Sequence, residues 1–321
     1  MGTAGERVLL KTTKDAPRGR IVSLDPRRPD ELETVVAESE DVISHAVVAG
    51  GRLVVTRTHD AYDIVELYRL DGTAEGTVPL PEIGATLGAG LGALAEHTTI
   101  FIPFTTFLQP LRILEYDLER ATLTTHFSAA VPGFDPDQYE TSLVFATGAD
   151  DTRVPVFVTA RRGLEADGSH PAILYGYGGF DVSIKPSYPS WLPVWLERGG
   201  VYAVAVLRGG GEYGDEWHLA GMFERKQNVF DDFAAAADEL VTRRLTSRRL
   251  LAIEGGSNGG LLVAATMLQH PECCGAVLCH VPVADMLRYQ RFTAGRYWTS
   301  EYGDAERNEG HFRALLAYSP V

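Results

Sequence analysis

A serine enclosed by glycines lies between two apolar runs at residues 250–264, which read LLAIEGGSNGGLLVA. The first run predicts a buried strand and the second a helix, so the glycines must turn the chain sharply between them. Residues 255–259 satisfy G-x-S-x-G, which in this setting is typical of a nucleophile elbow. Ser257 would then be the nucleophile, and the Asn258 backbone N–H would stabilise an oxyanion. The alternative is a plain glycine-rich turn capped by a serine.

The chain around this turn has the alternation of an α/β domain. From residue 171 onward, continuous apolar strands alternate with helical stretches, which predicts a parallel sheet with helices on both faces. Tyr177 lies in LYGYGGF, where hydrolases of this kind carry a glycine-rich loop, so its hydroxyl could be a second oxyanion donor or the ring could simply pack. One helix, within residues 229–241, presents an apolar face made of Phe230, Phe233, Ala234, Ala237, Leu240 and Val241.

The first 135 residues have a different pattern, because short β-segments follow one another with no long helix between them. Three of these segments end at Asp25, Asp71 and Asp117, at intervals of 46 residues. Such a period is typical of propeller blades, and three repeats predict an open, partial propeller because closed propellers have roughly four to eight blades. We therefore expect a partial β-propeller of about three blades over 1–135 and a C-terminally incomplete α/β-hydrolase catalytic domain over 136–321.

Composition and charge argue against several classes of partner and cofactor. A net charge of −14 without any Lys/Arg-rich run argues against nucleic-acid and membrane-surface partners. The three cysteines at 273, 274 and 279 are too close for a disulfide framework, which favours a reducing cytoplasm. No signal segment or membrane span is evident, and no metal or cofactor motif stands out. We expect a cytoplasmic monomer without a cofactor.

Five sequence blocks occur in the order YGYGGF, LRGGGEYGDEWH, KQNVFDDF, EGGSNGGLLVAA and GRYWTSEYG. Together they resemble the catalytic half of the prolyl oligopeptidase family of serine peptidases, most strongly over 135–321, and the preceding β-repeats fit that family's propeller. The resemblance implies a serine endopeptidase that cleaves short peptides on the carboxyl side of proline through an acyl-enzyme.

The resemblance also implies roles for individual residues. Ser257 matches the nucleophile, and the Asn258 N–H with the Tyr177 hydroxyl matches the oxyanion hole. Trp298 would be the flat surface on which the substrate proline stacks, because an uncharged aromatic slot suits a ring without charge or N–H. The rest of that pocket would be lined by Phe180, Val283 and Tyr302.

Two members of the expected triad have no candidate in the sequence. In this fold the catalytic Asp and His follow the serine, but His270, His280 and His311 stand outside the glycine-flanked loop that carries the family's histidine. We expect the catalytic Asp and His to be absent from this chain, which would be truncated at both ends. Without a general base, the chain alone would have negligible activity.

Three alternatives remain open from the residues alone. An oligopeptidase specific for basic residues would want carboxylates in the pocket, and Glu301 and Asp304 are candidates. An esterase or general acyl hydrolase would use the same elbow. A non-catalytic protein could hold proline peptides without cleaving them.

Overall fold

A computed structural model describes residues 1–87 and 90–321, which form two compact units. The first unit comprises Met1–Asp135 together with Lys185–Pro189 and Glu212–Gly214. The second comprises Pro136–Ile184, Ser190–Gly211 and Asp215–Val321.

The first unit contains three antiparallel sheets, each made of four strands that are consecutive in the chain. The first sheet is β1 (Gly2–Ala4), β2 (Arg7–Thr12), β3 (Arg20–Asp25) and β4 (Arg28–Val36). The second is β5 (Val42–Ala49), β6 (Arg52–His59), β7 (Tyr62–Arg69) and β8 (Ala74–Val78). The third is β9 (Ala85–Thr86), β10 (Thr99–Thr105), β11 (Arg112–Asp117) and β12 (Thr122–Ser128). Apolar side chains of neighbouring sheets share common cores, as stacked propeller blades do.

The repeated aspartates mark equivalent positions in the three sheets. Asp25, Asp71 and Asp117 stand at or just after the end of the third strand of each sheet. Each carboxylate accepts a hydrogen bond from the backbone N–H two residues later and so fixes the turn into the fourth strand. These and neighbouring hydrogen bonds, from Arg27, Thr73 and Arg120, lower the pKa of the three carboxyls.

Two short segments from later in the chain belong to this first unit. The Lys185 ammonium lies 2.6 Å from the Asp63 carboxylate, which is fully buried and also accepts hydrogen bonds from the backbone N–H and hydroxyl of Thr86. The Tyr213 hydroxyl donates to Asp60 over 2.7 Å. Carboxylates of β7 and of the turn that precedes it therefore attach both segments.

The second unit is built on a six-stranded sheet of order β13-β14-β16-β15-β17-β18. The last four strands in this order are parallel, as expected, whereas β13 and β14 are antiparallel and extend the sheet at one edge. The strand bounds are Tyr139–Thr147 (β13), Arg153–Arg161 (β14), Ala172–Tyr175 (β15), Val201–Ala205 (β16), Leu251–Gly256 (β17) and Ala276–His280 (β18). The α/β architecture is therefore confirmed, with a mixed rather than a purely parallel sheet.

Helices cover both faces of this sheet, as the alternating pattern predicts. Ala203 of β16 packs in the same core as Phe233 and Leu262, whereas its neighbour Tyr202 points to the opposite face and meets Trp191 edge-on. The helix bounds are Leu192–Glu197 (α1), Asp215–Leu219 (α2), Gln227–Thr242 (α3), Asn258–Gln269 (α4), Thr299–Tyr302 (α5) and Glu309–Tyr318 (α6). Single 3₁₀ turns lie at Pro136–Gln138, Phe223–Arg225, Arg248–Leu250, Tyr289–Arg291 and Gly295–Trp298.

The buried face of α3 differs in detail from the sequence pattern. Ala236 rather than Ala234 is buried, and Val241 is only half-buried. Asp232 is also fully buried, because both of its carboxylate oxygens accept hydrogen bonds from Arg208 at 2.6 and 2.8 Å. A charge at this position is compatible with the core only because its partner is buried beside it.

Strand β18 is more exposed than its apolar sequence predicts. A strand of a parallel sheet with helices on both faces should be buried, but β18 forms one edge of the sheet, and Leu278, Cys279 and His280 are exposed. Of the three free cysteines only Cys273 is buried. Within residues 1–87 and 90–321, no helix is long and apolar enough to cross a membrane, and no three side chains are grouped as metal ligands.

Candidate active site

Ser257 occupies a strained turn between β17 and α4. Its backbone has φ +57° and ψ −113°, a conformation that costs a residue with a side chain on the order of 1–3 kcal/mol. The turn is tight because Gly255 lies against the first turn of α4. A Cβ added at Gly255 would be 2.1 Å from the carbonyl oxygen of Gly259. The glycines thus permit a backbone that leaves the serine side chain exposed.

The exposed serine opens into a cavity of about 370 Å³. Trp298 and Val283, both expected beside the substrate, line this cavity together with Ser257. Other lining residues, which the sequence did not single out, are Val281, Pro282, Ala284, Asp285, Tyr289, Phe292, Thr293 and Val321. The cavity therefore combines an exposed serine with a largely apolar wall that contains an indole.

Asn258 and Tyr177 lie at the start of the helix that follows Ser257. Asn258 is the first residue of α4, where backbone N–H groups have no acceptor within the helix and can serve a ligand. The Tyr177 ring lies beside the same helix turn, 3.6 Å from where a Cβ of Gly259 would be. Burial, with a smaller contribution from the charge of Glu301, raises the pKa of the Tyr177 hydroxyl, which keeps it protonated as a hydrogen-bond donor.

The Asn258 side chain has a second role that the sequence did not indicate. Its amide Nδ2 donates to the Tyr177 carbonyl over 2.5 Å, and its Oδ1 accepts from the Tyr302 hydroxyl over 2.9 Å. The residue is almost fully buried. It therefore links the segment that carries Tyr177 to the elbow.

Phe180 and Tyr302 lie behind the indole rather than among the residues that line the cavity. The Phe180 ring packs edge-on against Trp298, with ring centroids 6.4 Å apart, and edge-on against Tyr302, with centroids 5.3 Å apart. Tyr302 is completely buried. Phe180 therefore supports the indole directly, and Tyr302 supports Phe180.

Glu301 and Asp304, the carboxylates considered for a basic substrate, have protein partners outside the cavity lining. Glu301 is 3 % exposed, and its two oxygens accept from the Phe180 N–H and lie 2.8 Å from His218 Nε2. Asp304 accepts from the Glu306 N–H and lies beside Arg307. The carboxylate that does line the cavity is Asp285, which pairs with Arg288 through Nε over 2.7 Å.

Comparison with known proteins decides the family. The model of the "Prolyl oligopeptidase family" matches residues 186–321, and the model of the "Prolyl oligopeptidase, N-terminal beta-propeller domain" matches residues 2–126. The chain belongs to the prolyl oligopeptidase family.

Relatives in the prolyl oligopeptidase family match along the whole of this chain. A prolyl endopeptidase of Elizabethkingia meningoseptica is 38% identical over 321 residues, which are 99% of this chain and 45% of that protein. A solved structure from a study of two prolyl endopeptidases is 43% identical with a TM-score of 0.91, over 99% of this chain and 47% of that one. Prolyl oligopeptidase B of Galerina marginata, bound to a 25mer macrocyclization substrate, is 31% identical with a TM-score of 0.92, over 99% and 45% of the two chains. The chain thus spans less than half the length of these family members.

The histidines that follow Ser257 are engaged elsewhere in this member of the prolyl oligopeptidase family. His270 follows the last residue of α4, His280 Nε2 lies 3.5 Å from Glu254, and His311 stacks on Phe223. In the described part of the chain, the Ser257 hydroxyl forms no hydrogen bond with a histidine or a carboxylate. The cavity therefore combines an exposed serine, the first residue of α4 and an aromatic wall, and in the described residues no base contacts the serine hydroxyl.

Proposed function

We propose that the protein containing this chain is a serine endopeptidase that hydrolyses short peptides on the carboxyl side of proline. The observation that carries the proposal is that Ser257, on a strained strand-to-helix turn, shares one cavity with Trp298. Relatives named prolyl endopeptidase support the same substrate class.

The residues suggest how the reaction would proceed. The Ser257 oxygen would attack the carbonyl carbon of the proline residue while its proton passes to a general base. The Asn258 N–H and the Tyr177 hydroxyl would donate to the oxyanion of the tetrahedral intermediate. Collapse of the intermediate would expel the amine with the proton from the base and leave an acyl-enzyme. Water would then attack the ester, release the peptide acid and regenerate the serine.

The chemistry of the cavity wall favours proline over a basic residue. An uncharged pyrrolidine ring can stack on the Trp298 indole, which Phe180 supports from behind. Glu301 is buried and bound to other groups, and Asp285 is already neutralised by Arg288. A lysine or arginine side chain would therefore find no unpaired carboxylate among Glu301, Asp304 and Asp285.

We also propose that the activating Asp and His are supplied from outside these 321 residues. In the described residues, the Ser257 hydroxyl forms no hydrogen bond with His270, His280 or His311, so none of the three is placed to take its proton. The isolated chain would then have negligible peptidase activity. In this proposal 1–135 is the partial propeller and 136–321 the catalytic domain, and the protein works as a cytoplasmic monomer on short peptides; the free cysteines are compatible with a reducing compartment.

Kinetics of the complete enzyme on blocked Gly-Pro, Gly-Ala and Gly-Arg amides would test this function. We expect Gly-Pro to be the preferred substrate and Ser257→Ala to abolish turnover. Trp298→Ala should lower kcat/KM for Gly-Pro about tenfold, as expected for loss of an aromatic contact of about 1.5 kcal/mol. The matched control is Tyr297→Ala, because Tyr297 precedes Trp298 and is exposed outside the cavity lining. Faster cleavage of Gly-Arg, or equal effects of the two aromatic substitutions, would contradict the proposal.

A further inference from the structure

The segment that carries Tyr177 has a backbone that its own residues do not favour. Residues 177–181, here called the tyrosine loop, contain Gly178 at φ +62°, Phe180 at φ +61° and Asp181 at φ +58°. Glycine adopts such a conformation freely, but phenylalanine and aspartate do not. Two consecutive residues with side chains in this region persist only where surrounding contacts fix them, and such strain concentrates at functional sites.

Two buried groups of opposite charge hold the loop, one on each side of Gly179. The Lys226 ammonium donates to the Gly178 carbonyl over 2.8 Å. The Glu301 carboxylate accepts from the Phe180 N–H over 2.8 Å. The cation thus binds a backbone acceptor and the anion a backbone donor, and such charge-assisted hydrogen bonds are stronger than those between neutral groups.

Both charged groups are buried and lie outside the cavity lining. Lys226 and Glu301 are only 1 % and 3 % exposed, and neither belongs to the residues that line the cavity. The second Glu301 oxygen is bound to His218 of α2, and the Lys226 ammonium lies 5.5 Å from the centre of the Tyr302 ring. Burying a charge costs free energy unless hydrogen bonds of good geometry offset the loss of water. These two charges are therefore not explained by solubility, and their hydrogen bonds to the loop are what offsets their burial.

We propose that Glu301 and Lys226 are positioning residues that fix the tyrosine loop from its two sides. By holding Gly178 and Phe180, they fix the backbone on both sides of Gly179, next to Tyr177, and place the Phe180 ring against Trp298. The role of the tyrosine loop in catalysis rests on the proposed function. The fixing of the loop by Glu301 and Lys226, here called the clamp, does not depend on that function. Neither residue touches the substrate.

Amide hydrogen exchange in this chain tests the clamp directly. In Glu301→Ala the Phe180 N–H loses its acceptor, and we expect its exchange to accelerate at least tenfold. Glu301→Gln keeps an oxygen at the same place and should restore protection, which a general loss of packing would not. Lys226→Met removes the donor to the Gly178 carbonyl and should also accelerate exchange at Phe180, which gives a second, independent variant. The Ala203 amide in β16 is the internal control and should remain protected in all three variants.

Binding of a blocked Gly-Pro peptide amide, measured by calorimetry, is the second arm of the experiment. We expect Glu301→Ala to weaken binding about tenfold and Glu301→Gln to stay within twofold of the unchanged chain. If the unchanged chain does not bind the peptide, the substrate site assigned to the Trp298 cavity fails, while the exchange result still decides whether Glu301 and Lys226 fix the loop. The clamp is overturned if Glu301→Ala leaves exchange at Phe180 unchanged, if Ala203 loses protection equally, or if Glu301→Gln behaves like Glu301→Ala.

Discussion

Replacing Gly255 by alanine should disrupt the turn that presents Ser257, whereas the same change at Gly256 should not. A Cβ at Gly255 would lie 2.1 Å from the Gly259 carbonyl oxygen, 2.5 Å from its carbon and 3.0 Å from its Cα. All three are backbone atoms in the first turn of α4, so no side chain can rotate away. At Gly256 the nearest atom would be His280 Cβ at 3.6 Å, an ordinary contact.

The magnitudes follow from these distances. Overpacking a rigid core typically costs about 1–3 kcal/mol and occasionally more, and a contact this short against backbone places Gly255→Ala at about 3 kcal/mol or above. Gly256→Ala meets no obstacle and should change the free energy of unfolding by less than about 1 kcal/mol. With a urea m-value of about 2 kcal/mol/M, Gly255→Ala would lower the unfolding midpoint by roughly 1.5 M.

Tryptophan fluorescence is a suitable assay because all four tryptophans, at 191, 195, 217 and 298, belong to the second unit. A urea titration followed in this way reports on the unit that contains the elbow and not on the three antiparallel sheets. Equal midpoints for Gly255→Ala and Gly256→Ala would refute the close approach of the turn to α4 and, with it, the strained geometry assigned to Ser257.

Three further outcomes are expected. Asp232→Ala leaves Arg208 buried without its main partner and should destabilise the second unit by about 3–5 kcal/mol. Asp150→Ala removes a half-exposed partner of the same arginine and should cost about 1 kcal/mol or less. Similar urea midpoints for the two variants would be inconsistent with the buried pair. Burial lowers the pKa of Lys226 from 10.5 to about 8. Between pH 8 and 10.5 the unfolded chain therefore binds more protons than the folded chain, and the free energy of unfolding relative to that of Lys226→Met should rise with pH by up to about 3 kcal/mol. A difference between the two denaturation curves that stays constant across this pH range would contradict the burial of Lys226. The isolated 321-residue chain should give no turnover of a blocked Gly-Pro amide above that of Ser257→Ala, and turnover comparable to an intact peptidase would show that a base is present after all.

Short-range patterns explain what the sequence predicted well. The elbow at Ser257 depends on neighbouring glycines and on apolar runs to either side, so all of its determinants lie within fifteen residues. The blade repeat was visible because the same local turn, closed by an aspartate carboxylate, recurs at Asp25, Asp71 and Asp117. Each signal depends on residues that are close together in the sequence, and the two signals were sufficient to predict the fold class.

Contacts between distant residues explain what the sequence did not predict. Glu301 accepts from an N–H that lies 121 positions earlier in the chain, and Lys226 donates to a carbonyl 48 positions earlier. In the sequence Glu301 stands in an acidic stretch and could equally have been a substrate-binding carboxylate. Burial of Asp232 is a similar case, since only the fold brings Arg208 beside it. The exposure of β18 was not predicted because an apolar strand at the edge of a sheet has the same hydrophobic pattern as one in the middle.

A crystal structure of this chain with a blocked Gly-Pro peptide aldehyde would test the central claim most directly. If Ser257 and Trp298 form one substrate site, the pyrrolidine ring should lie flat on the indole with the aldehyde carbon in contact with the serine oxygen and its oxygen directed at Asn258 N–H and the Tyr177 hydroxyl. A peptide bound elsewhere, or one whose proline lies away from Trp298 while the serine is unoccupied, would contradict the account.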